Sequence, residues 1–150
     1  MTNLVRRNSD NSDFRELVAL LDRDLQIRDG DEHSFYAQFN KINKIRHVVV
    51  AYEDGDAVGV GAIREYETGV AEIKRMFVRP ERRGRGIAGE ILAELEAWAQ
   101  ELGFTECILE TGVKQPEAIR LYQKSGYETI PSYGQYLNVE NSVCMKKSIV

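Results

Sequence analysis

Residues 70–102 read VAEIKRMFVRPERRGRGIAGEILAELEAWAQEL, and this stretch decides the fold. It opens as a strand, Val70 to Val78, ended by Pro80. It closes as a helix over 86–102. There Ile87, Ile91, Leu95, Trp98 and Leu102 recur at helical spacing, with Ala88, Leu92 and Ala99 beside them, and Gly103 stands ready at the C′ position. Between the two lies Arg82-Arg83-Gly84-Arg85-Gly86-Ile87-Ala88. The first turn of a helix carries unpaired backbone N–H groups and the positive end of the macrodipole, so it attracts anions. Gly84 and Gly86 keep side chains out of the approach, and three arginines add local positive charge. The turn suits a ligand carrying several phosphates.

Gly84 to Gly89 also spells G-x-G-x-x-G, and Glu110 ends the next strand, where a ribose-binding acid would sit. A dinucleotide site is nevertheless rejected. In that fingerprint the first glycine follows its strand almost directly, whereas here Arg79 to Arg83 intervene. The preceding strands are joined by tight hairpins rather than helical crossovers. A P-loop is excluded because no Gly-Lys-Ser/Thr follows.

Upstream, His47 to Tyr52 is a strand, Asp54-Gly55 a hairpin turn, Ala57 to Tyr66 the returning strand, and Glu67-Thr68-Gly69 a second turn. Leu4 to Arg7 forms a short strand. Asp13 and Glu16 read as a capping pair for a helix whose apolar face is Phe14, Leu17, Val18, Leu21 and Leu25. A second helix within 28–44 carries Phe35, Tyr36, Phe39 and Ile42. Downstream come a strand over Thr105–Thr111, a short helix opened by Pro116 and closed by Gly126, and strands at Tyr127–Ile130 and Ser142–Met145. The strand at 70–78, its helix and the strand at 105–111 form a βαβ crossover, so those strands run parallel. The expected fold is a mixed α/β sheet, an antiparallel meander followed by the crossover and a C-terminal α-β-β, in a single domain over 1–150.

The chain has 150 residues, of which 43% are hydrophobic and 29% charged. That composition suits one globular domain needing no metal or disulfide. Its net charge of −4 argues against a general basic field for nucleic acid or anionic membrane. Cys107 and Cys144 read as reduced buried thiols, and His33 and His47 are too isolated for a metal site. The N-terminal residues lack the apolar core of a signal peptide, and no long apolar run exists, so a cytoplasmic protein is expected.

The chain resembles the GNAT superfamily of N-acetyltransferases over roughly residues 46–147. That family carries Arg/Gln-x-x-Gly-x-Gly/Ala at the start of its third main helix, and Arg83, Gly86 and Ala88 fill those positions. A second family pattern, Asn-x-x-Ala-x-x-x-Tyr-x-x-x-Gly-Phe, is matched by Gln115, Ala118, Tyr122, Gly126 and Tyr127. Gln115 departs from the Asn of many members by one methylene. The resemblance implies acetyl-CoA as co-substrate. Its pyrophosphate would lie on the amides of Gly84, Arg85, Gly86, Ile87 and Ala88, beside Arg83. Its pantetheine arm would pair with Phe77 and Val78, and Gln115 and Tyr122 would complete the cofactor site.

It further implies direct attack of an amine on the thioester in a ternary complex. Tyr122 matches the family tyrosine that faces the CoA sulfur, and a phenol with pKa near 10 suits a general acid. Glu72, on the strand leading to the turn, is the candidate base by analogy with the histone-acetyltransferase branch. An ion pair with Arg64 or Lys74 is its plainer reading, and Glu110 or a water relay is the alternative base. The acceptor pocket would draw on Asp29, Glu32, His33 and Tyr36, with Tyr133 and Tyr136. Acidic and aromatic groups would suit a cationic amine, whereas Arg64 or Arg75 would hold a carboxylate. A small primary amine, an amino acid among them, is the expected acceptor. The alternatives are a protein lysine or a catalytically silent CoA-binding module. No metal, nucleic acid or membrane partner is expected, and a homodimer is compatible with this reading.

Overall fold

A computed structural model describes residues 2–29, 45–112, 115–134 and 142–150, with the side chains of 25–29 excepted. The second helix expected within 28–44 therefore lies outside the described residues. One sheet of seven strands organises the rest: β1 (Thr2–Arg7), β2 (His47–Glu53), β3 (Asp56–Glu67), β4 (Val70–Val78), β5 (Glu106–Gly112), β6 (Glu128–Ile130) and β7 (Ser142–Ser148). Their order across the sheet is β1-β2-β3-β4-β5-β7-β6. Among the described residues three α-helices accompany them: α1 (Ser12–Asp29), α2 (Ile87–Glu101) and α3 (Pro116–Lys124).

The expected meander is present. Asp54 and Gly55 both take positive φ, 52° and 86°. A two-residue type I′ hairpin requires that geometry at both central positions. The crossover also forms, with β4 parallel to β5. Beyond the crossover the sheet is antiparallel again, with β7 antiparallel to both β5 and β6.

Helices cover both faces. Phe14, Leu17, Val18 and Leu21 of α1 pack on Val48, Val50, Val60 and Phe77, the residues that point to one side of the pleat. On the other side, Ile87, Ile91, Leu92, Leu95 and Ala99 of α2 meet Val49, Ala51, Val58 and Ile73. Gly61 allows this close seat. A Cβ there would lie 2.6 Å from Met76 Sδ and 2.8 Å from both Ile91 Cγ2 and Leu95 Cδ1.

Two local expectations change. Asp13 does not cap α1; Asn11 does, its Oδ1 accepting from the Phe14 amide at 2.9 Å. Asp13 instead accepts from the Tyr52 hydroxyl at 2.6 Å. Leu102 leaves the apolar stripe because α2 ends at Glu101, and it is 45% exposed. Gly103, at φ 96°, closes the helix, with the Phe104 amide reaching back to the Ala99 carbonyl at 3.0 Å. A left-handed residue at that position lets the chain satisfy the last carbonyls.

Two irregularities position the cleft. The β4–β5 ladder holds only Val70–Glu106, Ala71–Cys107 and Glu72–Ile108, and beyond Glu72 the strands part while β5 continues along β7. On the other edge of β4, Val60 faces Phe77 and Ala62 faces Lys74, so Arg75 and Met76 together oppose Gly61. That extra residue is a β-bulge. Arg75 occupies it at φ 60°.

Candidate functional site

Where β4 and β5 part, a cleft of about 370 Å³ opens. It runs from the turn before α2, along Phe77 and Val78, past Tyr122 of α3, to Lys74, Arg75 and the α1 residues Leu21 and Asp24. Each end has its own chemistry.

At the first end, Gly84 and Gly86 adopt φ of 81° and 82°, and a Cβ at either would meet nothing within 4 Å. Their requirement is therefore conformational rather than steric crowding. Gly86 begins α2 with no side chain capping the first turn, and the ladder starts only with the Glu90 amide donating to the Gly86 carbonyl at 3.1 Å. These N–H groups are available to an anion. The arginines are less free than the sequence suggests. Arg82 and Arg85 converge on Glu53 at 2.8 and 3.5 Å. Arg83 donates from Nε to the Val78 carbonyl at 2.8 Å and lies 5.4 Å from the Phe77 ring centre. The Arg83 contact ties the turn to the end of β4.

Of the residues singled out in the sequence, Phe77, Val78, Arg83, Gly84, Gly86, Ile87, Ala88, Gln115, Tyr122 and Glu110 all line the cleft. The Arg85 side chain does not, since it is drawn toward Glu53. Gln115 stands at the N-terminus of α3 and its side chain caps nothing.

Tyr122 is buried, edge-on to Tyr127 at 5.8 Å between ring centres. Burial, and then the charge of Glu110, push its phenol well above the ordinary tyrosine range, so it holds its proton. Glu110 accepts from Ser142 Oγ at 3.0 Å.

Glu72 sits elsewhere. It is wholly buried, accepting from Arg64 Nε at 2.7 Å through one oxygen and from the Tyr133 hydroxyl at 2.8 Å through the other. Tyr133 in turn stacks edge-on against Tyr66 at 5.1 Å. Neither Glu72, Arg64 nor Tyr133 lines the cleft. The plainer reading of Glu72, an ion pair with Arg64, is what the geometry shows. His33, Tyr36, Glu32 and Tyr136 lie outside the described residues, as does the side chain of Asp29.

The far end holds groups that sequence reasoning missed or left as one choice among several. Lys74 is only 7% exposed, and burial lowers its ammonium pKa against the opposing pull of Glu72 and Glu110. Its signal was available: residues two apart on a strand share a face, so Lys74 projects to the same side as Glu72. Arg75 donates through Nη1 to Asp22 of α1 at 2.7 Å, while its buried Nε has no hydrogen-bond partner. An unsatisfied buried donor costs roughly 1–3 kcal/mol.

Both thiols are buried and absent from the cleft lining. Burial pushes Cys107 up to about 12, so it offers no thiolate. Among the described residues no group of three or more His, Cys, Asp or Glu could hold a metal ion, and no helix is long and apolar enough to cross a membrane.

The family model described as "Acetyltransferase (GNAT) family" matches residues 14–127. The IAA acetyltransferase of Azospirillum brasilense is 39% identical over 102 residues, 67% of this chain and 67% of that protein. A structure described as an acyl-CoA N-acyltransferase from Klebsiella pneumoniae superposes with TM-score 0.84 at 28% identity, covering 100% of this chain and 99% of that one. The PaiA N-acetyltransferase of Thermoplasma acidophilum, in complex with coenzyme A, superposes with TM-score 0.73 over 99% of each chain; at 17% identity it shows the shared fold alone.

Proposed function

We propose, from the premise that this chain belongs to the acetyltransferase (GNAT) family and is an acetyl-CoA-dependent N-acetyltransferase, that it acetylates a primary amine of a small molecule by direct attack in a ternary complex. The observation that carries this is the continuity of the cleft. It joins an uncapped helix N-terminus, an unpaired strand edge and a buried protonated phenol.

Acetyl-CoA fits the residues present. The left-handed glycines and free amides of the turn would hold its pyrophosphate, and the edge of β4 at Phe77 and Val78 would pair with its amide-bearing arm. Bound there, it supplies a thioester carbonyl open to an amine and a thiolate leaving group. Tyr122 holds the proton that thiolate needs, on a hydroxyl that burial keeps neutral. Glu110, which lines the cleft, takes the amine's proton, directly or through water. Glu72, which does not line the cleft, suits that task less well. No thiol faces the cleft among the described residues, which supports direct attack over an acyl-cysteine.

A small acceptor is supported by the mixed charges that Asp24, Lys74, Arg75 and Glu110 bring to the cleft. The test is release of CoA thiol with a panel of amines, amino acids, polyamines and a lysine peptide. Turnover of a small amine is the expected result. Turnover of the peptide alone would move the acceptor to protein lysine. Saturable acetyl-CoA binding with no turnover would leave a silent CoA-binding module.

A further inference from the structure

We infer that the acceptor carries a carboxylate, bound by the Arg75 guanidinium beside Lys74 at the inner end of the cleft. The inference rests on the acetyltransferase reading above and names the acceptor's chemical class.

Four observations converge on Arg75. It lines the cleft that also holds Tyr122 and Glu110. Its guanidinium is buried, with the side chain 5% exposed. The contact to Asp22 uses Nη1 alone, and Nε is left without a hydrogen-bond partner. Nε lies on the edge of the guanidinium that a carboxylate bridges with two parallel hydrogen bonds. The backbone supplies the fourth: the bulge sets Arg75 at φ 60°. Non-glycine residues rarely occupy that region, and those that do cluster at binding sites. A cation held on one side by Asp22 and unsatisfied on the other is arranged for a second anion.

The charges around it agree. Lys74, the next residue, adds a second buried cation to the same cleft, while Asp24 and Glu110 contribute acids. An amino acid brings both signs: its carboxylate meets Arg75 and Lys74, and its amine turns to Glu110 and Tyr122. Arg64, the other carboxylate candidate from the sequence, is engaged by Glu72 and lies outside the cleft lining. A polyamine would bring only positive charge toward Lys74 and Arg75.

The test pairs amino acids with their carboxamides, which differ only in that charge. Turnover is read by CoA release, and binding is read by calorimetry on the CoA-loaded protein with N-acetyl amino acids and their amides. We expect the native chain to favour acids over amides by about 10- to 100-fold in kcat/KM, mainly through KM. Arg75→Met should abolish that preference, and Arg75→Lys, which keeps the charge but loses the fork, should restore part of it. Asp22→Asn breaks the ion pair from the other side. A merely structural Arg75 makes Arg75→Met and Asp22→Asn alike: both lower the melting temperature, and the acid-to-amide ratio stays. That outcome, or amides turning over as well as acids, overturns the inference while leaving acetyl transfer intact. If no amine turns over yet carboxylates bind in an Arg75-dependent way, the inference stands and the catalytic reading fails. If carboxylates neither bind nor turn over, the inference is overturned.

Discussion

Arg64 Nε donates to Glu72 Oε1 at 2.7 Å, and the carboxylate it meets is wholly buried while the arginine is 44% exposed. The pair is therefore asymmetric. Losing Arg64 strands a charge in the interior, whereas losing the Glu72 charge leaves a cation that water can reach. We expect Arg64→Ala to cost about 3–5 kcal/mol and Glu72→Gln about 1–3 kcal/mol, read by urea unfolding. Per folded molecule, Glu72→Gln should keep kcat/KM within about tenfold, and Glu110→Gln should lose roughly 10²–10⁴. A loss beyond about 10² in Glu72→Gln, with stability unchanged, would return the base to Glu72.

Tyr122→Phe keeps the ring against Tyr127 and removes only the proton donor. The rate should fall roughly 10²–10⁴-fold with little change in acetyl-CoA affinity. Because burial raises the phenol's pKa, Tyr122 stays protonated up to pH 10, so no alkaline limb below that pH should disappear in the mutant. The sign for stability follows. Above pH 10 an unfolded tyrosine loses its proton and the folded one keeps it, so stability falls as pH climbs, and Tyr122→Phe removes that share. A stable mutant with native kcat would leave the thiolate without this acid.

Gly86→Glu places a negative charge and a strained φ of 82° at the start of α2. Calorimetry should show acetyl-CoA binding weakened at least tenfold, and an unchanged affinity would remove the phosphate from this turn. Gly86→Ala separates the two effects. A Cβ meets nothing there. Only backbone strain of about 1–2 kcal/mol is expected, with binding largely kept. NADH should not bind in competition with acetyl-CoA, because a 3-10 turn at Pro80–Arg82 stands between β4 and the first glycine.

His47 lies edge-on to Trp98 at 4.9 Å, and Arg6 sits over the same indole at 4.8 Å. Burial, with a contribution from Arg46, lowers the imidazole pKa below 6.5. As pH falls below 6.5 the unfolded histidine takes a proton first, so stability drops until the folded histidine is protonated as well. Trp98 is the single tryptophan, so its fluorescence should titrate in that same window. His47→Gln should flatten both curves, and an emission titration that survives the substitution would assign the effect to another group.

The sequence made some parts of this molecule plain and hid others for physical reasons. Asp54-Gly55, Gly86, Gly103 and Pro116 mark their turns and helix ends because each backbone geometry admits few residues. The stripe from Ile87 to Ala99 declares a helix because burial on one face imposes its period. Asn11 is obscured as a cap because Asp13 and Glu16 offer a competing pattern two residues later.

What the sequence by itself determined is local: the meander, the crossover, and the glycine turn that opens α2. Each follows from φ restrictions and from side-chain periodicity, which act between near neighbours. What only the tertiary structure decided is which charged side chains face which. Glu72, Lys74 and Arg75 are close in sequence, yet Glu72 is taken up by Arg64 and Tyr133 while Lys74 and Arg75 turn into the cleft. The bulge opposite Gly61 and the parting of β4 from β5 make that division. Both are matters of pairing between strands that are separate segments of the chain, and such pairing leaves no periodic trace in the residues themselves.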